Sequence, residues 1–184
     1  LVTRNAKGEI VPQVGKSWKY LSDNEIEFEI AEGIKFHDGT PLTPQDVVFS
    51  VQRITNPAFK SPQLSQFNSI VEAKVVGPNK VRLRTKAPYP ALLAQLVKLS
   101  IVPEATVKKI GDVEFNQKPV GSGPYKLVNW QRGVRIQLEA TPGYWRGKAP
   151  FEKVEFRGVS DTSTRIADLR TGKADVIRGV TPDD

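Results

Sequence analysis

The stretch from residue 25 to residue 30 constrains the fold most strongly, because acidic and apolar residues alternate along it without a break. Successive side chains of a β-strand point to opposite faces. A period of two therefore indicates a strand that buries Ile26, Phe28 and Ile30 and leaves the glutamates in water. Such a strand needs neighbours and a covering layer, so the chain is predicted to contain a sheet with one packed face.

A second strand pattern lies at residues 81–84, where Arg82 and Arg84 alternate with apolar side chains. Residues 77–80 read Gly-Pro-Asn-Lys, which favours a turn and links this pattern to an apolar stretch at 73–76. We therefore predict a hairpin. If it joins the sheet of residues 25–30, both arginines face the glutamates, and each ion pair contributes less than about 1 kcal/mol.

A helix is predicted to begin between these two strand patterns. Thr43 is suited to cap the helix, Pro44 fits its first turn, and Asp46 favours the positive end of its dipole. The side chains that recur at helical spacing, and are expected to pack against the sheet, are Val47, Val51 and Ile54.

Leucines at helical spacing predict a second helix within residues 91–99. Pro103 lies just beyond it and is expected to mark its end. A further helical turn or two is predicted at residues 104–110.

The pattern changes near Pro119. A Gly-Ser-Gly-Pro turn at residues 121–124 precedes two strand patterns, at 125–128 and 134–138, which are predicted to pair. A strand at 154–157, a helix from 161 to 171 closed by Gly172, and a strand at 174–177 follow. This order predicts a βαβ unit with parallel strands, and the change at Pro119 predicts a crossover between domains.

The composition excludes most catalytic centres. There is no cysteine, so a disulfide framework and a cysteine nucleophile are excluded, and His37 is the only histidine. His37 lies in Phe-His-Asp-Gly-Thr, which predicts a turn histidine bonded locally rather than a member of a catalytic triad. No metal site and no cofactor are expected. A carboxylate pair for hydrolysis stays open, because such pairs meet only in the fold.

The net charge of +7 raises the alternative of a nucleic-acid partner. However, the excess is spread along the chain, with +3 before residue 118 and +4 from there on. No basic run is interleaved with aromatic residues, so a solvated basic surface is favoured over a nucleic-acid-binding module. Three tryptophans beside strand patterns are expected to be core rather than ligand contacts: Trp18, Trp130 and Trp145.

The start of the sequence is expected to be processed or truncated. The chain contains no methionine, and its opening residues lack the apolar core of a signal peptide. No apolar stretch approaches the roughly 20 residues that cross a bilayer.

A long motif carries a family resemblance. Residues 33–43 read Gly-Ile-Lys-Phe-His-Asp-Gly-Thr-Pro-Leu-Thr and are followed by Asp-Val-Val-Phe-Ser at 46–50 and by Arg53. This resembles the signature of the family 5 bacterial solute-binding proteins, which serve dipeptide, oligopeptide and nickel importers. Further segments recur in the same order and spacing, namely Ser17-Trp18, residues 119–125, Asn129-Trp130, Gly143-Tyr144-Trp145 and residues 172–175.

The resemblance implies an α/β fold, as a fragment of the type II periplasmic-binding fold with mixed sheets and flanking helices. Residues 1–117 correspond to the extra domain of the large peptide-binding receptors, and 118–184 to part of the first lobe. The implied function is the substrate-binding component of an ABC importer, without enzyme activity, that captures peptides or related small solutes. It acts as a monomer in the periplasm or elsewhere outside the cytoplasmic membrane. Its partners are the solute and the ABC permease subunits, and nucleic acid is not among them.

The resemblance also implies ligand contacts. Residues 61–66 match a loop that faces the ligand in relatives, and its glutamine at 63 is the leading contact, since an amide both donates and accepts hydrogen bonds. Relatives commonly carry an aromatic residue there, so the ligand class stays open. The backbone near residue 121 is expected to offer N–H groups at the hinge. The candidate ligand-binding residues are Gln63, Gln66, Lys98, Ser100, Gly121 and Ser122.

Overall fold

The computed structural model describes residues 1–181. Within that range the chain forms nine strands and five helices, with a 3₁₀ turn at Pro57–Phe59 between the first two helices. In chain order they are β1 Val2–Arg4, β2 Ile10–Pro12, β3 Gly15–Ser22, β4 Glu25–Ile30, α1 Pro44–Thr55, α2 Leu64–Phe67, β5 Ile70–Gly77, β6 Lys80–Thr85, α3 Leu92–Leu96, α4 Glu104–Gln117, β7 Tyr125–Gln131, β8 Arg135–Ala140, β9 Lys153–Arg157 and α5 Thr162–Arg170.

The central sheet has four antiparallel strands in the order β3-β4-β6-β5. Strand β4 lies in its interior and buries Ile26, Phe28 and Ile30, as the alternation predicted. The predicted hairpin is formed by β5 and β6. Helix α1 covers the packed face and contacts both strands of the hairpin, so the hydrophobic core lies between this helix and the sheet.

The other face of this sheet carries the charged row. Arg82 binds Glu27 at 3.0 Å and Glu25 at 3.8 Å, as predicted. Arg84 lies opposite Glu25 in the register of β4 and β6, so it faces the glutamate row as predicted. Its ion pair, however, forms on the other side, where its Nε donates to Glu72 of β5 at 3.0 Å.

Helix α1 begins as predicted. Thr43 and Asp46 form a capping box, Pro44 occupies the first turn, and the helix buries Val47 and Val51 completely. Ile54 is partly buried against the core. The local rules for a helix N-terminus therefore hold here.

Helices α3 and α4 differ in length from the helices that the sequence predicted. Helix α3 is only five residues long, although Leu92, Leu96 and Leu99 are all buried. Helix α4 runs well past the predicted 104–110 and continues to Gln117 across a kink at Gly111, whose φ is 79° and ψ 163°. Glycine adopts this conformation without the steric cost of a Cβ, which explains how two helical segments join there.

The predicted βαβ unit is wrong. Strands β7, β8 and β9 form an antiparallel sheet, and residues 174–177 pair with no strand in the part of the chain that the structure describes. Helix α5 does form, with Asp161 as its cap and Gly172 at φ 71° beyond its end. A strand depends on ladder hydrogen bonds from a neighbour. Residues 1–181 place no such neighbour beside residues 174–177, and Val176 is 83% exposed.

Among the residues placed by the structure, no helix combines the length and apolar character needed to cross a membrane.

Candidate functional site

His37 joins the turn of the signature motif to the Gly-Ser-Gly-Pro turn at residues 121–124, and this contact is called the junction. Its backbone N–H donates to the carbonyl of Gly121 at 2.8 Å, and its ring Nδ1 accepts from the N–H of Gly121 at 3.3 Å. Its Nε2 lies 3.0 Å from the carbonyl oxygen of Gly123. This pattern fits a neutral ring with the proton on Nε2. The expectation of a locally bonded histidine is therefore wrong, because the partners lie 84 and 86 residues away.

Asp38 organises the turn that presents this histidine. Its Oδ1 accepts from the N–H and hydroxyl of Thr40 at 3.0 and 2.6 Å, and its Oδ2 accepts from the hydroxyl of Thr106 at 2.8 Å. Burial by itself raises the pKa of Asp38, yet the hydrogen bonds from both threonines outweigh it and hold that pKa below its ordinary value. Gly39 completes the turn at φ 86°.

Asp46 joins α1 to α4. Its Oδ2 accepts from the N–H and hydroxyl of Thr43 at 2.8 and 2.7 Å, and its Oδ1 accepts from the N–H of Glu104 at 2.9 Å. The hydroxyl of Ser50 accepts from the N–H of Val102 at 2.9 Å beside it. His37, Asp38, Asp46 and Ser50 of the signature motif thus use their polar groups to connect elements of the scaffold.

Two of the predicted ligand contacts lie together. Lys98 donates to the side-chain oxygen of Gln66 at 3.0 Å. Gln63 is exposed, and its side-chain amide has no hydrogen-bond partner among residues 1–181. Ser100 is also exposed, two residues beyond Lys98. The structure therefore places the free amide of Gln63 and the hydrogen-bonded pair of Lys98 and Gln66 on accessible segments.

The other two predicted contacts lie at the junction. The N–H of Gly121 points at His37, and the carbonyl oxygen of Ser122 accepts from the indole N–H of Trp145 at 3.3 Å. Neither group is directed into open space. Gly121 and Ser122 remain predictions as ligand contacts, and what they do in the structure is connect the turn to its surroundings.

The three tryptophans differ in their environments. Trp18 and Trp145 pack against the core, as predicted, and the ring centroid of Trp18 lies 6.3 Å from that of Phe28. Trp130 is 37% exposed and lies outside the core, so the core prediction is wrong for it.

Trp130 belongs to an exposed apolar face of the β7-β8-β9 sheet. A bulge between residues 127 and 129 shifts the alternation in β7, so that Trp130 shares a face with Leu127. Cross-strand pairing extends this face across β8 to β9, where Phe156 is 58% exposed. The residues of this face are Tyr125, Leu127, Trp130, Ile136, Leu138, Val154 and Phe156.

Part of the apolar face forms a groove of about 330 Å³ beside His37, Pro119 and Gly121. No lysine, arginine, aspartate or glutamate lines it. The opposite face of the sheet is polar, with Lys126 bound to Glu139 at 2.8 Å. Sequence reasoning did not identify the apolar face, although the alternation at 134–138 and 154–156 carried the signal.

Within the described range, no group of three or more histidine, cysteine or acidic side chains is placed to hold a metal ion. Every described carboxyl group whose pKa departs from its ordinary value has that pKa lowered, which keeps the group ionised.

Comparison with known proteins establishes the family. Residues 9–184 match the model of the bacterial extracellular solute-binding proteins, family 5 Middle. Because this match covers most of the chain, the protein belongs to the family 5 bacterial extracellular solute-binding proteins, as its signature motif predicted. The glutathione-binding protein GsiB of Shigella boydii is 31% identical over 159 residues, which are 84% of this chain and 31% of GsiB.

Solved structures agree. NikZ from Campylobacter jejuni, solved in complex with Ni(L-His), superposes with a TM-score of 0.88 at 27% identity over 94% of this chain and 36% of NikZ. The oligopeptide-binding protein AppA from Bacillus subtilis, in complex with a nonapeptide, gives 0.85 at 27% identity over 94% and 36%. The predicted α/β class and type II periplasmic-binding fold are confirmed. The chain spans about a third of the length of these relatives.

Proposed function

We propose that this chain is part of the substrate-binding component of an ABC importer, which captures peptides or related small solutes outside the cytoplasmic membrane and delivers them to the permease. The observation that carries the proposal is the match of residues 9–184 to the family 5 solute-binding proteins. The fold agrees with it, since receptors for glutathione, a nonapeptide and a nickel-histidine complex are similar to this chain.

The domain division is part of this proposal. Residues 1–117 form the extra domain, and residues 118–184 form part of the first lobe. The apolar face of β7-β8-β9 supports this, because an amphipathic sheet stays exposed on its apolar side only when its covering layer comes from elsewhere. We propose that further chain of the first lobe covers this face, and that residues 174–177 pair as a strand in the sheet completed there.

The ligand site is proposed to include Gln63, Gln66, Lys98 and Ser100. The free amide of Gln63 can donate to and accept from a peptide group. Lys98 forms no ion pair among residues 1–181, so its ammonium group is available to a carboxylate. The ligands named for the relatives GsiB, AppA and NikZ all carry carboxylate groups, which suits such a contact. Gly121 and Ser122 are proposed to act at the hinge.

Capture in this proposal needs no chemical step. Closure of two lobes removes water from the ligand and strengthens its polar contacts, and reopening releases it unchanged. The proposed receptor is therefore not an enzyme and needs no cofactor. We further propose that it works as a monomer in the periplasm or cell envelope. Nucleic acid is not among its proposed partners, because the positive charge is spread over the chain.

A thermal-shift screen of the full-length protein tests this function. Ligands that bind only the folded state stabilise it, by about 2.7 kcal/mol at a concentration of 100 times Kd. We expect the melting temperature to rise with glutathione, with short peptides or with amino-acid chelates of nickel. Gln63→Ala should reduce the shift, whereas Gln45→Ala, an exposed glutamine on α1, should not. No response to any of these ligand classes would contradict the proposal.

A further inference from the structure

Arg53, in the last turn of α1, contacts three separate elements. Its guanidinium lies 3.9 Å from the ring centroid of Phe59 in the 3₁₀ turn and 5.8 Å from that of Phe115 in α4. Its Nε and Nη2 both donate to Oδ1 of Asp112, also in α4, at 2.9 and 2.7 Å. The side chain is only 19% exposed. A single planar cation therefore connects α1, α4 and the 3₁₀ turn.

Phe59 lies outside the hydrophobic core. It is partly exposed and is not among the side chains that form or pack against the hydrophobic core. Stacking of a guanidinium on an aromatic ring stabilises by about 0.5–2 kcal/mol, and more when the pair is shielded from water. The stack under Arg53 therefore holds the ring of Phe59 at a position outside the core.

Phe59 begins the segment that leads to the ligand-contact loop. Lys60 follows at φ 52°, the one positive φ at a non-glycine residue within residues 1–181. This left-handed conformation is unfavourable for a residue with a Cβ and persists only when neighbouring contacts impose it. At the other end of the loop, Phe67 is completely buried. Residues 60–66 are therefore held between two aromatic anchors, one in the core and one under Arg53.

We propose that Arg53 is a positioning residue for ligand capture, which fixes the loop of residues 61–66 so that the amide of Gln63 is preorganised for the ligand. This inference rests on the proposed function, since that function makes the loop a ligand contact. A loop that is already ordered loses less conformational entropy on binding, and affinity is higher for that reason. Lysine cannot replace Arg53, because it has neither the planar stack nor the forked donors.

Hydrogen–deuterium exchange on the ligand-free full-length protein tests the positioning role. The N–H groups of Ala58, Lys60 and Gln66 are hydrogen-bonded in this segment. In Arg53→Gln we expect them to exchange about tenfold faster, while the amides of β4 exchange at the wild-type rate. Arg135→Gln is the matched control, because Arg135 is an arginine of the β7-β8-β9 sheet with polar partners only, and it should leave the loop unchanged.

Arg53→Lys provides a second test by hydrogen–deuterium exchange if Arg53→Gln folds poorly. It keeps a positive charge opposite Asp112, and the proposal expects it to reproduce most of the faster exchange in residues 58–66. The proposal is overturned if exchange in this loop stays at the wild-type rate in both variants. It is also overturned if β4 and the loop accelerate equally, since Arg53 then only supports global stability. Because no ligand is present, failure here is separate from failure of the ligand screen.

Discussion

The carboxylate of Asp46 offers a sharp test of how the signature motif works. In Asp46→Asn one oxygen becomes an NH₂ group of nearly the same size. The remaining oxygen can accept either from Thr43, at the start of α1, or from the N–H of Glu104, at the start of α4. One of these donors must then face an NH₂ group. The substitution therefore removes a hydrogen bond at the start of α1 or at the start of α4, without creating a cavity.

The expected cost follows from these contacts. A largely buried N–H group left without an acceptor costs about 1–3 kcal/mol. Loss of a negative charge at a helix N-terminus adds about 0.3–1 kcal/mol. Together these terms predict that the free energy of unfolding falls by about 1–4 kcal/mol. For a chain of this size that lowers the melting temperature by roughly 2–16 °C.

Urea and thermal denaturation of the 184-residue chain measure this cost. Asp23→Asn is the matched control, because Asp23 is exposed and its side chain makes no hydrogen bond among residues 1–181. We expect the control to change the free energy of unfolding by less than about 0.5 kcal/mol. If Asp46→Asn is equally mild, the role of this carboxylate in joining α1 to α4 is refuted.

Three further changes have defined outcomes. The hydrogen bond from Arg82 to Glu27 lowers the pKa of that carboxyl group, so its stabilisation is complete above the ordinary value of 4.5 and is lost as the pH falls through the lowered value. Glu27→Gln should therefore make the free energy of unfolding depend less steeply on pH below pH 4.5. The same pH dependence as in the wild type, measured by urea titrations, would contradict this. His37→Phe leaves the N–H of Gly121 unpaired and should reduce the free energy of unfolding by about 1–3 kcal/mol. The amide of Gly121 should also exchange faster. An unaltered exchange rate would contradict the hydrogen bond from Gly121 to His37. Phe156→Ser should lower the binding of a hydrophobic fluorescent dye to the 184-residue chain, and equal fluorescence would show that the apolar face is not the exposed surface.

Features of the fold that depend on neighbouring residues could be predicted from the sequence. The alternation at residues 25–30 identified a buried strand, and Thr43, Pro44 and Asp46 identified a helix start, because both signals act within one strand or one turn. The hairpin of β5 and β6 was predicted for the same reason. The family signature could be recognised because many of its residues have such structural roles.

Features that depend on distant residues could not be predicted. His37 lies in a turn motif that indicates local bonding, yet its partners lie more than eighty residues away. Residues 174–177 have the composition of a strand, but a strand also needs a neighbour, and sequence composition does not supply one. The stack of Arg53 on Phe59 likewise depends on how α1, α4 and the 3₁₀ turn meet.

Calorimetric titration of the same solute into two proteins tests the proposed capture mechanism most directly. The full-length protein and the 184-residue chain would each be titrated with a ligand identified by the thermal-shift screen. If two lobes enclose the ligand, we expect the full-length protein to bind one molecule and return it unaltered. We expect the 184-residue chain, which spans about a third of its relatives, to bind the ligand poorly. Micromolar or tighter binding by the 184-residue chain would contradict this account.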